Sequence, residues 1–77
     1  MPLFHFKVEG DPDVDAIELP SVAVAKCEAV KYAGKRICDE ADRFWDASLF
    51  TLNVTDDRGL SLFMLMMTGV QSAAVSD

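Results

Sequence analysis

The residues of this chain with reactive or metal-binding side chains are few: one histidine, two cysteines and a short acidic run. Asp11, Asp13 and Asp15 alternate as the oxygens of a calcium loop do. Such a loop also needs Gly at its sixth position and Glu at its twelfth. Here those positions hold Ala16 and Val22, and Pro12 stiffens the segment. The run therefore reads as a solvated acidic loop. His5 alternates with Phe4 and Phe6, which puts it beside Lys7 on the opposite face of a strand. With no second histidine to join it, His5 reads as structural or simply exposed. Cys27 and Cys38 stand eleven residues apart in a helical segment, about 16 Å along the axis. A disulfide needs Cα atoms within about 7 Å, so the two read as small core fillers, not redox or metal groups. Ser21 is placed as a helix cap, and no His–acid pair of recognisable spacing makes it a nucleophile. There is no Gly-rich phosphate loop. The expectation is a non-enzyme without catalytic residues, cofactor or metal.

Composition narrows the partners. The chain has 77 residues, 51% of them hydrophobic, with 7 Lys/Arg against 13 Asp/Glu and a net charge of −6. That is one small domain with a thin stability margin. Its charge argues against neutralising phosphates in nucleic acid or anionic membranes. The start of the chain has no signal-peptide pattern. The longest apolar stretch, Leu60 to Val70, is too short to span a bilayer. A soluble cytoplasmic protein is expected.

The elements that must position these residues follow from periodicity. Leu3 to Val8 alternates as a half-buried strand. Residues 9–13 are turn formers, and Asp15 to Leu19 can add a short second strand. Ser21 caps a helix that runs from about Val22 to Ala41, and at most to Arg43. At 100° per residue, Val22, Ala23, Cys27, Val30, Ala33, Gly34, Ile37, Cys38 and Ala41 share one broad stripe, which is expected to face the sheet. Tyr32, Lys35, Arg36 and Asp39 fall on the other side, with Lys35/Asp39, Arg36/Glu40 and Asp39/Arg43 spaced for i,i+4 pairing. Phe44, Trp45 and Asp46 lead out, and Trp45 is expected to plug the end of the core. Leu49 to Thr55 and Leu60 to about Met67 form a closing hairpin about Asp56-Asp57-Arg58-Gly59.

Several short motifs follow one order: Phe4-His5-Phe6-Lys7-Val8, Gly10-Asp11, Glu18-Leu19-Pro20, Glu28-Ala29, and Val54-Thr55-Asp56 with Gly59. In that order the chain resembles a family of very small bacterial proteins, common in rhizobia and relatives, classed as a domain of unknown function. The resemblance covers most of residues 2–67. It supports an α+β fold, and it implies no catalytic residues. The chain departs from the family pattern at Ala16, where Gly is usual. It departs again at Leu60, Met64 and Met66, where polar residues or Pro are common.

The last strand is apolar on both faces: Leu60, Leu62, Met64 and Met66 on one, Phe63, Leu65 and Met67 on the other. Such a strand is normally buried on both sides, so the two other long strands are expected to flank it. A four-residue turn would set Val54 opposite Ser61 and point Phe63, Leu65 and Met67 to the core. A three-residue turn with a bulge would reverse the faces. The first is preferred, because the resembling family tends to be polar at the alternate positions. The expected fold is α+β, a mostly antiparallel sheet of three to four strands with one long helix on one face, in β-β-α-β-β order. The domain spans residues 1–69 and is followed by a flexible C-terminal tail at 70–77. One helix leaves the far face open. Leu62, Met64 and Met66, with Leu3 and Leu49, are expected to form an apolar surface for homo-oligomerisation. Covering by the tail or Trp45, and a separate protein partner, are the alternatives. A further reading is a small acidic adaptor that binds a basic macromolecular partner.

Overall fold

A computed structural model describes residues 1–75. The chain order is β1 (Leu3–Val8), β2 (Val14–Glu18), α1 (Val22–Asp39), α2 (Ala41–Ala47), β3 (Leu49–Thr55) and β4 (Ser61–Thr68). The strands form one antiparallel sheet in the order β2-β1-β3-β4. The fold is α+β, as the periodicity indicated, with a second short helix.

Two hairpins make the sheet. β1 pairs with β2, β3 pairs with β4, and β1 joins β3 with His5 opposite Thr55 and Val8 opposite Leu52. The expectation that the last strand would be flanked by the other two long strands is corrected here: β3 is flanked and β4 is an edge. A hairpin can offer only one of its strands to the other hairpin. β3 brings Leu52 and Val54 beside Phe6 and Val8, and these residues are buried. Two apolar faces on β4 therefore did not signal burial on both.

The β3–β4 turn is longer than four residues. Asp56 Oδ1 accepts from the N–H groups of Arg58 and Leu60 at 2.8 and 3.0 Å, and Gly59 adopts φ +81°, which favours glycine. Thr55 pairs with Ser61 and Val54 with Phe63, so Leu62 is the extra residue of a bulge. The register differs from the expected Val54–Ser61 pairing by two residues. Two is the side-chain period of a strand, so Phe63, Leu65 and Met67 still lie on the helix side.

α1 starts at Ser21, whose Oγ accepts from the Val24 N–H at 3.2 Å. The stripe that meets the sheet is Ala25, Ala29 and Ala33, all buried. The expected stripe is centred roughly 105° away on the wheel. Of its members only Ala33 is buried; Ile37 is half-buried, while Val22, Val30, Gly34 and both cysteines are exposed. Alanines four residues apart let the helix axis come close to the sheet. The same rotation turns Tyr32 edge-on to Phe6, with ring centroids 5.4 Å apart. Thus Tyr32 and Arg36, expected on the solvated side, face the β1–β2 hairpin.

The helix does not continue through Ala41. Glu40 leaves helical geometry at φ −123°, ψ 43°, closing α1 and opening α2. Its N–H donates to Arg36 O and its own carbonyl accepts from the Phe44 N–H. Its carboxylate is held by Arg36 at 2.6 Å and by Arg43 at 2.8 Å. Lys35 pairs with Asp39 as its spacing indicated, at 2.8 Å, whereas Arg43 bonds Glu40. The break turns α2 over the end of β3. The expected tail runs past the described residues; as far as Val75 it carries a turn with the Val75 N–H on Ser72 O, and no helix or strand.

The stripe assignment has a direct test. Ala29→Leu overpacks the helix–sheet contact and should cost about 1–3 kcal/mol in urea unfolding. Val30→Ala, on the outer face, should change stability by less than about 0.5 kcal/mol.

Candidate interaction surface

Helix α1 covers the sheet face that carries Phe4, Phe6, Val8, Leu52 and Val54. The register sets the other face: Leu3, His5 and Lys7 on β1; Val14, Ala16 and Glu18 on β2; Leu49, Thr51, Asn53 and Thr55 on β3; Ser61, Met64, Met66 and Thr68 on β4. Among the described residues no helix lies over it. The accessible surface is 5407 Å², against roughly 4,700 Å² for a compact 8.5 kDa monomer. The radius of gyration is 14.1 Å, where about 11–12 Å is usual for this length.

The open face divides by chemistry. Its β1–β2 half carries charge, with His5, Lys7 and Glu18 set among Leu3, Val14 and Ala16. His5 Nε2 stands 3.8 Å from Asp57 Oδ1, an exposed carboxylate of the turn. Its β4 side is apolar: Met64 is 55% exposed, Met66 60% and Leu49 49%. Met66 lies opposite Thr51, which is nearly enclosed, and Leu49 is the next residue on that face of β3. The structure thus brings together Met64, Met66 and Leu49 of the expected surface. Leu62, drawn in by the bulge, packs with the core cluster on the helix side. Leu3 shares the open face but sits at the far end of β1, opposite Glu18.

Trp45 sits at the far end of β4, on the helix side by register. It is half-exposed and does not plug the core; its ring lies over Gly69 at the end of β4. A Cβ at Gly69 would fall 2.6 Å from Trp45 Cζ3 and 3.0 Å from Phe44 Cε2. Gly69 is therefore a close-approach glycine that seats α2 on the hairpin.

The acidic loop has a structural use. Asp11 accepts from Arg36 Nη2, and its other oxygen accepts from the Asp13 N–H at 2.9 Å. That backbone bond first, and Arg36 second, hold the Asp11 carboxyl below the usual carboxylate range. Asp15 accepts from the Tyr32 hydroxyl at 2.6 Å. Burial first, then Asp15, push the Tyr32 phenol up to about 12. Sequence reading missed this clamp, although Tyr32 and Arg36 are four apart and flank the alanine stripe. Among the described residues no three His, Cys, Asp or Glu side chains are grouped to hold a metal ion.

A cleft of about 340 Å³ opens between the β1–β2 loop and the α1–α2 break. Phe44 and Phe50 line it, with Arg36, Asp11, Glu40 and Arg43 among its charged residues. These four charges satisfy one another; Glu9, also on the lining, is exposed on the rim.

A family model matches residues 3–68, from the first residue of β1 to the last of β4. The chain belongs to the DUF6894 family, a domain of unknown function. Both helices and the whole sheet are parts of the DUF6894 domain. No curated protein and no solved structure matches the chain. Among the described residues of this DUF6894 chain, no helix is long and apolar enough to cross a membrane.

Two measurements check the geometry. The single tyrosine should ionise near pH 12 in the folded chain and near pH 10 when unfolded. Asp15→Asn should lower the folded midpoint, read by absorbance of the tyrosinate. A raised phenol pKa stabilises the fold fully below pH 10, and that contribution is lost as pH climbs through 12. Gly69→Ala should displace the only tryptophan, shift its emission and cost about 1–3 kcal/mol.

Proposed function

We propose that this DUF6894 domain is a non-catalytic cytoplasmic module that self-associates through the apolar strip of its open face along β4. The observation that carries this reading is the adjacency of exposed Met64, Met66 and Leu49 on an uncovered sheet face. A contiguous apolar patch at the surface of a small domain ordinarily marks a contact with another protein. The patch lies on the charge-free part of an otherwise anionic chain. A second copy, which carries the same charge of −6, meets least repulsion there.

The acidic-adaptor reading has less support. Asp11 and Asp15 are engaged by Arg36 and Tyr32 within the fold, so two acids of the loop are not free to recognise a basic partner. His5 has an acidic neighbour in Asp57 but no enclosed site around it, and this supports the non-catalytic reading.

Sizing with light scattering should give a dimer or larger species at high micromolar concentration. Met64→Glu should yield a monomer with unchanged far-ultraviolet circular dichroism. A carboxylate set against the partner's methionines, with no basic group to meet it, should weaken association by roughly tenfold or more. A wild-type chain that stays monomeric at high micromolar concentration sinks the proposal.

A further inference from the structure

We infer that two copies join edge to edge: β4 pairs antiparallel with the partner's β4 about a twofold axis perpendicular to the sheet, and the two four-stranded sheets become one. This rests on the self-association reading above and names its geometry.

The two edges of the sheet are built differently. β2 carries Asp15 and Glu18, and Pro12 and Asp13 precede it. Charges and proline blunt an edge against further pairing. β4 is eight residues long with no charge and no proline, and no charged residue occurs from Leu60 to Val75. An edge of that kind is a template for another strand.

Its backbone groups are also in phase. The Gly69 N–H donates to Ser48 O, and the Glu9 N–H donates to Thr51 O. Alternation along an antiparallel ladder then directs Phe50, Leu52 and Val54 toward β4, and Thr51, Asn53 and Thr55 toward β1. On β4, Phe63, Leu65 and Met67 bond to β3. The N–H and C=O groups of Met64 and Met66 point outward, without a partner strand.

Twofold symmetry fits this pattern. Opposite residues of an antiparallel pair lie on the same face, and a crossing at Leu65 sets Met64 opposite the partner's Met66 in a hydrogen-bonded pair. The methionines of both copies then form one cluster on the open face, and both α1 helices lie on the other side. The contact is isologous and closes at two. Pairing β4 with the partner's β2 would instead leave free edges and grow a filament, and the acids of β2 and the proline before it oppose it.

Amide hydrogen exchange of the full chain, at low and high micromolar concentration, tests the geometry. Phe63 and Leu65 should be protected at both. Met64 and Met66 should exchange freely when dilute and slow by roughly tenfold or more when concentrated. Met66→Pro removes an outward N–H and no ladder bond; it should give a folded monomer, whereas Met66→Ala, which keeps the N–H, should still dimerise. If the chain dimerises while Met64 and Met66 still exchange freely, edge pairing is overturned and self-association by another surface stands. A folded Met66→Pro dimer overturns it as well. If the wild type is monomeric throughout, both readings fall.

Discussion

The fold depends on the junction between β1 and β3. Each hairpin by itself is a two-stranded ribbon, which is marginal in water. Pairing β1 with β3 places Phe6 opposite Val54 and Val8 opposite Leu52. Phe6, Leu52 and Val54 are the largest fully buried side chains, and each contributes about 1.5–3 kcal/mol of burial. Without this contact neither hairpin has a core, and the helix has nothing flat to lie on.

The junction also dictates how α1 can pack. Phenylalanines on the sheet side leave room only for small residues on the helix side, and Ala25, Ala29 and Ala33 supply them. Close approach then brings Tyr32 and Arg36 within reach of Asp15 and Asp11, tying the β1–β2 hairpin to the helix. The acidic loop is thereby a structural latch with its carboxylates committed. All this coverage lies on one side. The other face, and the β4 edge beside it, are left to solvent or to another chain.

Much of the local structure was legible in the sequence. Period-two alternation located β1, β3 and β4, Ser21 marked the start of α1, and Asp56 with Gly59 marked the turn. The identity of the core face of β4 was legible too, because parity survives a two-residue change in register. The helix orientation was not. Val30, Cys27 and Cys38 outweigh alanines in hydropathy, so the wheel pointed to the wrong stripe. What chose the alanines was the bulk of Phe4 and Phe6 on the opposing layer. The break at Glu40 was equally silent, since no Gly or Pro marks it; it rests on Arg36 and Arg43 sharing one carboxylate. Of the surface residues, Met64, Met66 and Leu49 were legible as outward apolar positions. Leu62 was not, because a bulge turned it inward.

The sequence by itself determined the element types, the alternation of each strand, the acidic charge and the charge-free run from Leu60 to Val75. These follow from backbone geometry and residue chemistry within a few positions of each other. Only the tertiary structure decided that β3 is central and β4 an edge. Periodicity records which face of a strand is apolar, but not which strand stands beside it. That choice lies in long-range packing, where Leu52 and Val54 meet Phe6 and Val8 and leave the hydrogen-bonding groups of β4 without a neighbour.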